Sequence, residues 1–123
     1  MTQELPADVR RFILTSVPSV PYLEAVLLLR LHPEDNWDQA LLARRLYVPE
    51  RTAAELVQQL RASGVARSEG EAVRYAPAAE LAELLDRLAD VYAADLVTVT
   101  DLIHSRIDRR AQQFADAFRF RKD

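Results

Sequence analysis

At 123 residues, half of them hydrophobic, the chain is long enough for one domain with a real core plus an appendage. It contains no Cys, which excludes disulfides, thiolate catalysis and zinc–thiolate sites. The formal charge of −3 runs against a dedicated nucleic-acid binder, whose surface is ordinarily basic. Gly occurs only at Gly64 and Gly70, both at predicted breaks, and that scarcity favours helix. Fifteen of the sixteen basic residues are Arg, which reads first as bias toward GC-rich codons and only then as function.

The first eight residues lack the basic start and apolar stretch of a signal peptide. The longest strictly apolar run, 25–29, falls far short of the ~20 residues of a membrane span. A cytoplasmic protein without membrane contact is expected. Residues 6–16 predict a short helix with Val9, Phe12 and Ile13 facing inward. Val17-Pro18-Ser19-Val20-Pro21 breaks it, and Ser19 is the expected N-cap of a second helix over 22–31. Leu23, Val26, Leu27 and Leu28 make that helix the main support of the domain.

Pro33 and Glu34-Asp35 form a polar break. A third helix is expected to start at Asn36-Trp37-Asp38-Gln39, with Asn36 as cap and Gln39 at the capping-box position. Its apolar residues are Ala40, Leu41, Ala43 and Leu46, with Arg44 and Arg45 on the other side. Tyr47-Val48 is the turn, and Pro49 suits the first turn of a fourth helix because its missing N–H would be unpaired there. Ala53, Leu56, Val57 and Leu60 fall at i, i+3, i+4 and i+7, one helical face. Gly64 ends the helix as a left-handed cap residue. Two alternating segments, 65–68 and 72–75, flank Glu69-Gly70-Glu71 and predict a tight hairpin.

Beyond Pro77, residues 78–105 carry the longest helical pattern. Leu81, Leu85, Leu88, Tyr92, Leu96, Val99 and Leu102-Ile103 form a nearly continuous stripe. At ~1.5 Å per residue such a helix extends ~42 Å, more than a small domain needs to cover itself. The β-branched stretch 96–100 lowers helix propensity and leaves a strand or kink open, although the flanking pattern favours helix. A last helix is expected over 108–121, with Ala111, Phe114, Ala115 and Phe118 on one face.

Helix, short turn, helix, Gly stop and hairpin over 37–75 resembles the winged helix-turn-helix domains of bacterial transcriptional regulators, broadly of the MarR and PadR type. The resemblance spans residues 22–76. It matches at Ala43, where two helices must approach, and at the buried positions Leu42, Leu46, Val48, Ala53 and Leu56. It departs at Tyr47, where the pattern often has a left-handed Gly, so Tyr implies strain or a different turn. The resemblance implies a mostly α fold with a small β-hairpin. It also implies a winged helix-turn-helix domain with its N-terminal helix over residues 1–76 and a C-terminal helical dimerisation arm over residues 77–123.

The function it implies is a homodimeric transcriptional regulator that binds double-stranded DNA. The helix at about 50–63 would enter the major groove and the wing, 65–75, would lie on the backbone. Arg51 and Gln58 are then the candidates for base edges, Thr52 with the helix N-terminus for phosphate, and Arg44, Arg45, Arg67 and Arg74 for the backbone. Residues 38–75 hold six Arg against five acids. Glu55 in the reading face and Glu69 and Glu71 at the wing tip repel phosphate. They favour the alternative, a winged-helix protein-interaction or adaptor module that does not bind DNA. The expected dimer interface is Leu85, Leu88, Tyr92, Leu96, Val99, Phe114 and Phe118, since so long an exposed stripe must be covered. The Phe-rich, basic tail could also dock a protein partner or fold back on its own domain. His32 and His104 are lone, and Ser63, Ser68 and Ser105 sit in no catalytic motif. No enzyme activity, metal or cofactor is therefore expected.

Overall fold

A computed structural model describes residues 5–120, apart from the side chains of 106–111, 114 and 116–120. Among the described residues, helices α1 (Ala7–Ser16), α2 (Val20–Leu31), α3 (Gln39–Leu46) and α4 (Glu50–Ala62) precede a hairpin of β1 (Ala66–Glu69) and β2 (Ala72–Tyr75). Helices α5 (Ala79–Ala94) and α6 (Leu96–Phe120) come after it. The protein is thus mostly helical with one small antiparallel hairpin. No single helix among the described residues is long and apolar enough to cross a membrane.

Helix α2 is the centre. Its sequence is almost wholly apolar, and it buries Tyr22, Leu23, Ala25, Val26 and Leu29 beneath α3, α4 and β2. Ser19 caps it as expected, its Oγ accepting from Tyr22 N–H at 3.2 Å. The buried Tyr22 hydroxyl donates to Ser63 Oγ at 2.9 Å, so the start of α2 is fastened to the end of α4. Helix α1 supplies Val9 and Ile13 and packs on α5 and α6.

The entry to α3 differs from the expectation. Asn36 is not the cap. Asp38 is, its Oδ1 accepting from Leu41 N–H at 2.8 Å. Trp37 lies outside the helix, in an antiparallel bridge to Val73 of β2. A single bridged residue has no period to read, whereas Asn36, Asp38 and Gln39 around it all suit a helix start. At the other end, Tyr47 does adopt the left-handed conformation, with φ 56° and ψ 45°. Tyr47 and Val48 N–H both return to Ala43 O, which closes the helix before α4 begins at Glu50. Pro49 is the N-cap of α4 and not part of its first turn.

Helix α4 buries the predicted face, Ala53, Leu56, Val57 and Leu60. Its end turns through Gly64 at φ 81°. The hairpin runs 66–69 against 72–75, a residue later than expected in its first strand, with Arg67 opposite Arg74 and Ser68 opposite Val73. Gly70, at φ 61°, takes the first position of the two-residue loop, where a type II′ turn requires positive φ.

The long helix expected over 78–105 is two helices. Asp95 ends α5 and caps α6. Its Oδ1 accepts from Thr98 N–H at 3.2 Å and its Oδ2 from Thr98 Oγ1 at 2.7 Å. A carboxylate that meets the next helix's free N–H groups competes with continuation of the first. The separate helix expected over 108–121 is instead the continuation of α6.

The expected dimer stripe is largely consumed inside the chain. Leu85, Leu88 and Val99 are 0% exposed and belong to one core with Val9, Ile13, Leu23 and Ile103. They leave no surface for a second copy, because α1 already covers them. Fully burying each leucine contributes about 1.5–3 kcal/mol. Tyr92 is half-buried, and Leu96 stays 52% exposed. The side chains of Phe114 and Phe118 lie outside the described residues. Surface ion pairs tie the layers: Arg30 to Asp86 at 2.8 Å between α2 and α5, and Arg87 to Asp8 between α5 and α1. The Arg87 guanidinium holds the Asp8 carboxyl below the usual carboxylate range.

Candidate functional site

Helix α4 lies between α3 and the hairpin and packs on both. Its buried face fixes which residues stay wet. Arg51, Glu55, Gln58 and Gln59 are exposed, while Thr52 and Ala54 are half-buried. No side chain caps the N-terminus of α4, so its first N–H groups are not satisfied by a neighbouring hydroxyl or carboxylate. Glu50 and Arg51 open the helix with opposite charges.

The arginines expected around α4 have different surroundings. Arg44 is exposed in the last turn of α3. Arg45 is exposed too, but its guanidinium lies 5.5 Å from the Trp37 ring centroid, a cation–π contact of about 0.5–1 kcal/mol at an exposed site. On the hairpin, Arg67 and Arg74 face each other on the outward side. Like charges directly opposite destabilise a strand pair. Each has found an acceptor: Arg67 Nε donates to Glu69 Oε1 at 2.9 Å, and Arg74 Nε to Pro33 O at 3.4 Å. Arg67 is therefore neutralised by a carboxylate two residues away on the same strand face.

A groove of about 590 Å³ separates the start of α3, the flank of α4 and the hairpin turn. Gln39, Gln58, Arg61 and Glu71 give it polar lining, and Ala54 and Val57 its floor. In the sequence, Arg61 is a charge with no place assigned to it, and Glu71 is assigned only to the hairpin tip. The Trp37–Val73 bridge is what swings the hairpin turn beside Gln39, and a one-residue bridge carries no sequence signal.

Of the expected site residues, the fold brings Gln58 to this groove and keeps Arg44, Arg45 and Arg51 exposed around the turn from α3 to α4. Tyr47 stands in that turn with its side chain 94% exposed. The acids Glu50, Glu55, Glu69 and Glu71 share the same elements. The histidines are apart: His32 Nδ1 lies 4.0 Å from Asp35, with its ring 6.0 Å from that of Trp37, and His104 is exposed on α6. Among the described residues no three His, Asp or Glu side chains gather to hold a metal ion.

No family model, curated protein or solved structure matches the chain.

Proposed function

We propose that the protein is a winged helix-turn-helix regulator that binds double-stranded DNA as a homodimer. Helix α4 enters the major groove and the hairpin serves as the wing. What supports this is α4 itself. It is held on one face by α2, α3 and the hairpin, and it turns to solvent both Arg51, beside an uncapped helix N-terminus, and Gln58, two turns further on. Arg and Gln side chains can pair bidentately with guanine and adenine edges, and free helix N–H groups donate to phosphate. Arg44 on α3 and Arg67 and Arg74 on the hairpin flank α4 as backbone contacts. Dimerisation falls to Leu96 and Val97, which α5 and α6 leave exposed.

Titration of a labelled random-sequence duplex at low salt tests the proposal. Nonspecific binding at about 10⁻⁴–10⁻⁶ M or tighter is expected, weakening steeply with added salt. Against a preferred sequence, Arg51→Ala costs about 1–3 kcal/mol of discrimination. Absence of binding by the wild-type chain overturns the proposal.

A second reading, a winged-helix protein-interaction module without DNA binding, is favoured by one observation. The Arg67–Glu69 pair neutralises the hairpin's most exposed cation, and Glu50, Glu55 and Glu71 stand on the same elements.

A further inference from the structure

Tyr47 is the only non-Gly residue with positive φ among the described residues. The turn demands it: two N–H groups must reach back to Ala43 O before α4 begins. Gly would take this conformation without steric cost, whereas the Cβ of Tyr crowds the backbone. Packing does not explain why Tyr stands there. At 94% it is the most exposed large apolar side chain in the described structure, ahead of Leu31 at 68%. The ring and hydroxyl are held out from a turn fastened by two hydrogen bonds to Ala43 O.

Their surroundings have a sign. Residues 44–51 carry Arg44, Arg45 and Arg51 against Glu50 alone. All four are exposed. The turn is the part of the α3–α4 unit with the largest local cationic excess, while the hairpin tip and mid-α4 carry the acids. A phenol adds a neutral donor and a flat apolar face to that cationic rim. The chemistry that matches all of these is a sugar–phosphate backbone.

We infer that Tyr47 is a DNA-backbone contact: its hydroxyl donates to a phosphate oxygen and its ring lies along the adjoining deoxyribose, between Arg44 and Arg51. The inference rests on the DNA-binding reading above. It explains why a strained, solvent-facing aromatic occupies the turn. Backbone strain kept at a binding surface is a recurrent pattern, and stability is what it costs.

Three proteins, wild type, Tyr47→Phe and Tyr47→Gly, are titrated with a labelled random-sequence duplex at several salt concentrations, and each is melted alone. Tyr47→Gly is expected to bind about tenfold more weakly, the loss of one hydrogen bond to a charged acceptor together with the ring. The salt slope is expected to match wild type, because no positive charge has been removed. Its Tm is expected to equal or exceed that of wild type, because the left-handed strain is gone. Tyr47→Phe keeps the ring and the strain, and is expected to bind several-fold more weakly at unchanged Tm. If Tyr47→Gly binds like wild type, the inference fails and DNA binding stands. If Tyr47→Gly melts lower, Tyr47 is a packing residue and the inference fails as well. If wild type binds no duplex, both fall together.

Discussion

Trp37 and Val73 exchange two backbone hydrogen bonds, Trp37 N–H to Val73 O at 2.8 Å and Val73 N–H to Trp37 O at 2.9 Å. The pair turns a two-stranded hairpin into one anchored to the segment that opens α3. It fixes where the hairpin stands beside α4. Both side chains are in the core, Trp37 1% and Val73 0% exposed. An isolated two-stranded hairpin is marginal in water, so the anchoring is what gives this one a fixed position.

Trp37→Ala should therefore destabilise the whole protein, by about 3–5 kcal/mol for an emptied aromatic site. It also releases Arg45 from the ring. Urea unfolding followed by far-UV circular dichroism measures the change, and a loss below about 1 kcal/mol would contradict the anchoring role. In the wild type, Trp37 is the only tryptophan, so its emission should shift to the red as the hairpin detaches.

Asp95 makes a second prediction, with a pH signature. The Thr98 hydroxyl and then the Thr98 N–H, both donating to the Asp95 carboxylate, lower its pKa from the ordinary 3.8. A carboxyl depressed in the folded state stabilises the fold at pH values above its unfolded pKa. That stability is lost as pH falls through the folded value. Asp95→Ala should lower Tm at neutral pH, and the gap from wild type should close as the pH is taken below 3.8. A gap that stays constant from neutral to acid pH would mean that capping by the ionised form is not what separates α5 from α6.

Much of this fold could be read from residue order, and the misses have physical causes. Ala53, Leu56, Val57 and Leu60 declare the α4 face through their spacing. Gly70 declares the hairpin through a conformation few other residues take. Asp95 was hidden because one Asp in a long apolar stripe looks like a residue of the wet face, and its capping depends on Thr98 three residues later. The burial of Leu85, Leu88 and Val99 was legible, but not what buries them. A stripe specifies that a cover exists, not whether α1 or a second copy supplies it. At the site, the exposure of Arg44, Arg51 and Gln58 followed from the helical wheel. The Arg67–Glu69 pair was also within reach, since residues two apart share a strand face. Position of the groove was not, because it depends on the Trp37–Val73 bridge.

Assembly yields a third prediction. Among the described residues, Leu96 and Val97, 52% and 64% exposed at the start of α6, are the large apolar side chains that α5 and α6 leave exposed. If they lie in the proposed dimer interface, wild-type Tm should rise with protein concentration, since association stabilises by mass action. Leu96→Glu should give a monomer by light scattering, with a Tm independent of concentration. A wild-type chain that scatters as a monomer at micromolar concentration would remove the dimer from the proposal.

Glu69 separates the two readings of function. Its carboxylate accepts from Arg67 Nε at 2.9 Å on the exposed face of the hairpin. A pair this open contributes only about 0–1 kcal/mol, so Glu69→Gln should leave the fold and Tm nearly unchanged. The electrostatics change more. With Glu69 uncharged, Arg67 and Arg74 face outward together and one phosphate-repelling charge is gone. If the hairpin lies on DNA, Glu69→Gln should bind a random duplex more tightly than wild type. Its dependence on salt should steepen by about one phosphate's worth, a slope change of roughly 0.9. Arg67→Ala should move in the opposite sense, with a shallower slope and weaker binding to all sequences alike. The protein-docking reading predicts something else. There the acidic hairpin tip is the contact, duplex affinity is negligible in all three proteins, and Glu69→Gln weakens only a basic partner. Parallel titrations of the three proteins across salt concentration measure both slope and sign. Equal slopes for wild type, Glu69→Gln and Arg67→Ala would take the hairpin off the DNA even if α4 remained on it.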